Sequence, residues 1–205
     1  DVEEMTEEQK IEKAKRPHSV NITDICVYKT MCPRLLFYNK IVKRPIPYQT
    51  KIRFSIGNLL HDTPINESGN EISFNYEGIR CRMDDLDMEE GWIADKKTVA
   101  FMPIKVKEYP EVQLNMYRVI AEDNKERPFK VNQLFVLNIN TTSCDVKALE
   151  VPMWEKEKAK QYLFDAREEI LTALNTLNLP CKKKSWWCET CPYTDLCEKE
   201  SVSDV

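Results

Sequence analysis

The chain has 205 residues, a length that favours one domain with a substantial core over two cramped ones. Hydrophobic residues make up 42% and charged residues 31%, as in ordinary globular proteins, and the net charge of −4 excludes a basic field over the whole surface. Any polyanion site must therefore be a local groove or gain its positive charge from a metal ion. The longest apolar run, LFVLNI, is strand-sized, and the acidic start DVEEMTEEQK does not resemble a signal peptide, so we expect a cytoplasmic protein without a membrane segment.

The N-terminal part predicts a polar extension followed by two short helices. Residues 1–20 alternate acidic and basic side chains with few apolar ones, so we assign them no chemistry. Thr23 or Asp24 can cap the first helix, and Pro33 suits the first position of the second. Cys32 then lies at the junction of the two helices, where packing as a small buried residue is the ordinary role of a single cysteine.

Residues 49–62 predict a helix that carries a histidine near its end. A histidine at a helix end more often caps or packs than binds a metal, but the acidic residues predicted on the following sheet favour a ligand role. His61 is therefore a candidate ligand for manganese or magnesium, because a neutral imidazole can join carboxylates around such an ion. The apolar residues that share one face of this helix are Ile52, Ile56, Leu59 and Leu60.

Three β-like runs, EISFNYEG, IRCRMDDLD and WIADKKT, follow in succession and predict an antiparallel meander. The polar tip MEEG makes the last two runs a hairpin, with Asp84 on its first strand and Asp95 on its second. Lys97 lies two residues after Asp95, and alternate residues of a strand face the same side. One face would thus carry two carboxylates and an ammonium. Such carboxylates can hold a hard divalent cation while the lysine orients an attacking water, which is the equipment for phosphodiester hydrolysis.

The same charges also have an ordinary interpretation. Asp84, Asp85 and Asp87 could be solvated charges near a turn, and the sequence DKK could be an exposed strand end. The D-x-K spacing is a very weak pattern by itself. The hairpin alone therefore leaves both interpretations open.

A further helix is predicted over PEVQLNMYRVIAED, with Pro110 at its start. Gln113 and Tyr117 share a face of this helix and could position a phosphate and its water, although such a stripe is usually plain helix surface. VNQLFVLNI and DVKALEVP predict two more strands, and a long scaffold helix runs from about 153 to 178. Strands interleaved with helices indicate one α/β or α+β domain over 21–205, with a central mixed sheet flanked by helices.

The C-terminal segment is rich in cysteine. Cys188, Cys191 and Cys197 form a C-x2-C-x5-C pattern, which suits metal coordination in a reducing compartment. A fourth ligand is needed: Cys181 would make a local zinc site, whereas Cys32 would tie the segment to the N-terminal helices. The cationic and aromatic side chains nearby could bind single-stranded nucleic acid. Equally, the lysines could be solvated while the tryptophans pack beneath the cysteines. These residues are Lys182, Lys183, Lys184, Trp186 and Trp187.

The order of these motifs resembles a known family. GNLLH ending at His61, RMD, DKK and QLNMY resemble, in this order, the RecB-like branch of the PD-(D/E)XK nuclease superfamily. CPR at Cys32 and the later CPYTDLC look like its iron-sulfur subgroup, which includes CRISPR-associated RecB-like nucleases and stand-alone relatives in archaeal viruses. The resemblance runs from about residue 21 to 197. It implies a restriction-endonuclease-like α/β fold whose iron-sulfur segment, residues 181–197, is tied to the N-terminal helices.

The resemblance implies a metal-dependent DNA nuclease, typically an exonuclease on single strands or DNA ends and sometimes an endonuclease, with CRISPR adaptation or viral recombination proteins as possible partners. Its implied cofactors are magnesium or manganese and a structural [4Fe-4S] cluster. Lys97 would orient the attacking water, Gln113 would hold Lys97 or the phosphate, and Tyr117 would contact the strand. The implied ligands are His61, Asp84, Asp95 and the Lys96 carbonyl for the divalent metal, and Cys32, Cys188, Cys191 and Cys197 for the cluster.

Three alternatives remain open at this stage. Asp85 follows Asp84 directly, so either carboxylate can be the ligand that the family motif requires. A nuclease fold can also serve as a DNA-processing adaptor that binds strands with weak or no cleavage. Finally, Cys181 and the three clustered cysteines can bind zinc in an interaction domain whose acidic hairpin has no role in chemistry.

Overall fold

The computed structural model describes residues 18–42, 44–46, 48–61 and 72–199. Two compact units make up the chain, Asp1–Pro45 with Leu163–Val205 and Ile46–Tyr162. Most of the predicted N-terminal extension lies outside the described residues, and the single domain predicted for 21–205 stays a prediction. No helix within the described ranges is both long and apolar enough to cross a bilayer.

The protein is a mixed α/β structure. Its helices are α1 (Ile22–Cys26), α2 (Pro33–Ile41), α3 (Tyr48–His61), α4 (Glu108–Asp123), α5 (Lys156–Thr176) and α6 (Thr194–Lys199), with a π-helical turn at Val27–Met31 and a 3-10 turn at Trp186–Thr190. Its strands are β1 (Val20–Asn21), β2 (Ile72–Tyr76), β3 (Ile79–Met83), β4 (Asp85–Asp87), β5 (Trp92–Val99), β6 (Gln133–Asn140) and β7 (Val146–Glu150). The predicted helices and strands are therefore confirmed, apart from the details given below.

Helix α1 of the first unit is capped at its N-terminus. Asn21, rather than Thr23 or Asp24, is the N-cap of α1: its Oδ1 accepts from Asp24 N at 2.8 Å, and Asp24 Oδ2 accepts from Asn21 N at 3.0 Å. This reciprocal capping box satisfies two of the amide groups that a helix start leaves without partners. Cys32 is extended and Pro33 opens α2, as predicted, so the cysteine lies at the junction of two helical segments.

The C-terminal cysteine-rich segment packs on α2 within this unit. The rings of Tyr38 and Tyr193 stack with centroids 5.4 Å apart, and both side chains are buried. The Arg44 guanidinium makes a bidentate contact with the Asp195 carboxylate at 2.8 and 2.7 Å. Such paired hydrogen bonds fix geometry as well as distance. The C-terminal segment therefore contacts the N-terminal helical region non-covalently, whereas its predicted tie through an iron-sulfur cluster stays a prediction.

The second unit is built on a four-stranded mixed sheet. Its strand order is β4-β5-β6-β7, with β5 and β6 parallel and the other neighbours antiparallel. Strands β2 and β3 form a separate antiparallel hairpin. Helix α4 contacts both strand groups and buries apolar side chains against them. Val112, Met116, Val119 and Ile120 are each at most 1% exposed, and burying one such side chain contributes about 1.5–3 kcal/mol.

The predicted meander is wrong in one respect. The run IRCRMDDLD is two strands, because β3 pairs with β2 while β4 pairs with β5. The chain bends at Asp84, between the two strands. The alternation of apolar and polar residues breaks at this point, because Asp84 and Asp85 follow each other between Met83 and Leu86, and this break coincides with the change of pairing partner.

Gly91 closes the turn between β4 and β5. Its φ of +75° lies in the region that only glycine adopts without strain, and a Cβ there would lie 2.6 Å from Lys130 O and from Asn132 Nδ2. Gly91 O also accepts from Asn132 N at 2.6 Å. The turn is therefore fixed against the segment that leads into β6, and it sets the register of the hairpin.

Candidate active site

Asp84 and Asp95 lie on opposed positions of two neighbouring strands. Asp85 faces Ala94 in the antiparallel β4–β5 pair, so the same register carries Asp84, directly before β4, opposite Asp95. Directly opposed residues of such a pair point to the same face. Asp84 Oδ2 accepts from Lys96 N at 3.0 Å, which shows its carboxylate reaching across to β5. The structure thus brings the two carboxylates together, with only 6% of Asp84 and 1% of Asp95 exposed.

Lys97 joins this face of the sheet. Its Nζ lies 2.7 Å from Asp95 Oδ2, and 31% of its side chain is exposed, so the ammonium stands between the buried carboxylate and solvent. The ring of Tyr109, at the start of α4, has its centroid 5.7 Å from the same Nζ. An aromatic face at that distance attracts a cation and restricts its position. The predicted grouping of Asp84, Asp95 and Lys97 is present in the geometry.

Tyr109 is a site residue that we did not single out from the sequence. A signal was available, because Tyr109, Gln113 and Tyr117 are spaced by four residues and so share one face of α4. Gln113 and Tyr117 were identified from this spacing and again from the family resemblance. The helical spacing alone would have added the third.

Asp85 and Lys96 form a separate pair on the opposite face. Lys96 Nζ lies 2.6 Å from Asp85 Oδ2, and the two side chains are 4% and 0% exposed. The Asp85 carboxylate is therefore paired with the buried Lys96 ammonium, on the face of the sheet away from Asp95. The geometry favours Asp84 over Asp85 as the carboxylate that acts together with Asp95.

Helix α4 presents a polar pair to the carboxylates. Gln113 Nε2 donates to Tyr117 Oη at 2.6 Å, and both residues are buried. Burial and the nearby charges of Asp95, Cys81 and Asp84 raise the pKa of Tyr117 well above its ordinary value of 10.0, so the phenol keeps its proton. Gln113 Oε1 is buried and accepts no hydrogen bond from any described residue. A buried amide oxygen of this kind calls for a donor or a cation.

The oxygen-rich set fits a hard divalent cation. Two buried carboxylates and a neighbouring amide oxygen are the ligand types that magnesium and manganese prefer. In the part of the chain that the structure describes, no three His, Cys, Asp or Glu side chains form a metal-holding group as they stand. His61 is the last residue of α3, and its side chain lies outside the described part, so its ligand role stays a prediction.

The four predicted cluster cysteines lie in the first unit. All eight cysteines of the chain fall within the described residues, and none forms a disulfide. Burial raises the pKa of Cys191, and the nearby Cys32, Cys188 and Cys197 raise it further, so each of these three lies within electrostatic reach of Cys191. Burial raises the pKa of Tyr28, and the nearby Glu169 and Cys181 raise it further. Tyr28 and Cys181 both line an open cavity of about 910 Å³.

Two N–H groups point at sulfurs of this set. Arg34 Nη1 donates to Cys197 Sγ at 3.7 Å, and Ser185 N donates to Cys188 Sγ at 3.5 Å. Hydrogen bonds to sulfur are one of the means by which proteins tune thiolate-bound clusters. As they stand, the described cysteines form no metal-holding group, so the cluster stays a prediction, and of its two candidate fourth ligands Cys32 rather than Cys181 is the one that acts on Cys191.

Comparison with known proteins gives a consistent family. The PD-(D/E)XK nuclease superfamily profile matches residues 62–198, whereas no curated protein matches the chain significantly. Two solved structures share its fold, each aligned over 93% of both chains: SSO0001 at a TM-score of 0.54 and 15% identity, and a Eubacterium rectale protein named "Putative exonuclease" at 0.51 and 11%. Because the superfamily profile covers well over half of the sequence, the chain belongs to the PD-(D/E)XK nuclease superfamily.

Proposed function

We propose that this protein is a metal-dependent nuclease that hydrolyses phosphodiester bonds of DNA, acting on single strands and strand ends. The observation that carries the proposal is the grouping of Asp84, Asp95 and Lys97 on one face of adjacent strands. Superfamily membership supports hydrolysis, and the name of the E. rectale structure supports an exonuclease. The net charge of −4 is compatible with DNA binding because the cationic groups need only be local.

Each residue of the site then has a role. Asp84 and Asp95, with His61 and the Lys96 carbonyl, hold one or two magnesium or manganese ions, which when bound would polarise the phosphoryl oxygen and lower the pKa of water. Lys97, positioned by Asp95 and Tyr109, orients the water for in-line attack. On α4 the protonated Tyr117 donates to the strand backbone, and Gln113 Oε1 accepts from Lys97 or from the water.

The direct test is cleavage of end-labelled strands by the purified protein. We expect shortening of single-stranded DNA in magnesium or manganese and none in EDTA, with less cleavage of blunt duplex and of RNA. Gel analysis over time separates single-nucleotide products of an exonuclease from internal fragments. Divalent-dependent binding without any cleavage would instead favour the DNA-processing adaptor.

We further propose that Cys32, Cys188, Cys191 and Cys197 hold a structural [4Fe-4S] cluster, that the chain belongs to the RecB-like iron-sulfur branch, and that 21–205 is one nuclease domain. The effect of Cys32, Cys188 and Cys197 on the pKa of Cys191 and the N–H groups that donate to Cys188 and Cys197 support this assignment. A cluster would add a covalent closure between α2 and the C-terminal segment, which already contact each other.

Colour and metal content test the cluster. Protein purified without oxygen should be brown, absorb in the visible and contain about four irons per chain. Cys191→Ser should lose both signals, whereas the matched variant Cys181→Ser should keep them. A colourless protein with stoichiometric zinc, in which Cys181→Ser releases the metal, would establish the zinc alternative.

A further inference from the structure

The segment 100–107, which we call the β5–α4 loop, carries two strongly exposed apolar side chains. Phe101 and Ile104 are each 88% exposed, the highest values among the large hydrophobic residues that the structure describes. An aromatic ring that is this exposed contributes almost nothing to the stability of the fold. Exposed aromatic side chains beside a functional site are typical of binding surfaces.

The loop connects the strand that carries Lys97 to the helix that carries Tyr109. Lys97 precedes Phe101 by four residues, so their Cα atoms are at most about 14 Å apart. At its other end the loop leads into α4, where the Tyr109 ring lies 5.7 Å from Lys97 Nζ. Lys147 Nζ donates to Pro103 O at 3.2 Å and so attaches the middle of the loop to β7. The exposed Phe101 ring therefore lies no farther from the candidate site than the length of a few nucleotides of a bound strand.

The charge of the loop is suited to a polyanion. Its sequence AFMPIKVK contains two lysines and no acidic residue, in a chain whose net charge is −4. Lys105 and Lys107 are exposed, and Lys97 is partly exposed. Local cations interleaved with an aromatic ring are the combination that binds single strands without sequence preference.

We propose that the β5–α4 loop is the platform that holds single-stranded DNA against the candidate site. Phe101 stacks on an unpaired base, Ile104 packs on the neighbouring nucleotide, and Lys105 and Lys107 contact phosphates. This inference rests on the proposed function, since it names the strand that the nuclease takes. Single strands are the preferred ligand because the faces of paired bases are already stacked and are closed to a side chain.

Fluorescence anisotropy in EDTA tests the loop separately from cleavage. We expect Phe101→Ala to weaken binding of a labelled oligothymidylate about tenfold, which is within the range measured for loss of one base–aromatic stack. Phe101→Tyr should bind within about twofold of the wild type, and Phe101→Leu should remain weakened because it keeps apolar area without a ring. Affinity for a blunt duplex should change by less than about twofold.

The matched control is Met88→Ala. Met88 is 38% exposed in the β4–β5 turn, at the other end of β5 and about 23 Å from the loop, and its loss should leave affinity unchanged. Unchanged oligothymidylate binding by Phe101→Ala, equal losses on duplex, wild-type affinity for Phe101→Leu, or a changed oligomeric state instead of a changed affinity would each overturn the inference. If Phe101→Ala weakens binding but the wild type cleaves no strand, the platform stands and the nuclease proposal fails.

Discussion

Asp95→Asn should reduce the rate of strand cleavage by about 10²–10³-fold while leaving DNA binding in EDTA largely intact. The substitution keeps the volume of a side chain that is 1% exposed, and it removes the charge that both attracts a cation and positions Lys97 at 2.7 Å. Stability should change little, because Lys97 is partly exposed and can turn its ammonium to water. The measurement is single-turnover cleavage of an end-labelled strand in manganese.

Asp87→Asn is the matched control in the same hairpin. Asp87 Oδ1 accepts from the backbone amides of Glu89 and Glu90 in the turn, a role that asparagine can fill. Cleavage by this variant should stay within about twofold of the wild type. Undiminished cutting by Asp95→Asn would remove Asp95 from the site, and an equal loss in both variants would assign the effect to hairpin folding.

Lys96→Met should strongly destabilise the second unit. The Lys96 ammonium is the buried partner of Asp85, and removing one member of such a pair leaves a charge in an apolar environment, at a cost of about 3–5 kcal/mol. For a protein of this size the melting temperature should fall by roughly 10 °C. Thermal unfolding followed by circular dichroism measures the change.

Two further variants separate the ion pair from other causes. Asp85→Asn combined with Lys96→Met should recover about half of the loss, because the double variant no longer buries an unmatched charge. Lys125→Met, at an exposed lysine of the same unit, should change stability by no more than about 0.5 kcal/mol. A melting temperature for Lys96→Met equal to that of Lys125→Met would show that the pair contributes nothing to stability.

Local patterns were sufficient to predict most elements but not their partners. The β-like run WIADKKT and the four-residue spacing in α4 depend on neighbours in sequence, and both elements are found where predicted. The parallel pairing of β5 with β6 joins segments separated by α4, and no local pattern encodes it. In α3 the helix is also confirmed, yet Ile52, Ile56 and Leu59 are 43–69% exposed, since burial depends on the rest of the fold.

The choice between adjacent aspartates shows the same limit within the site. Period-two alternation requires Asp84 and Asp85 to face opposite sides, but it does not say which one faces Asp95. That choice depends on the register of β4 against β5. The contact between Tyr109 and Lys97 likewise depends on how the β5–α4 loop returns the chain.

The Gly91 turn has a consequence for the evolution of this hairpin. With three residues in β4, a slip of one position would exchange the two aspartates, sending Asp84 toward the Lys96 ammonium and Asp85 toward Asp95. An insertion of one residue in the hairpin would therefore exchange the positions of the two aspartates, whereas an insertion of two residues would keep Asp84 opposite Asp95. Homologues should accordingly differ in the length of this hairpin by even steps, a parity rule that an alignment can reveal.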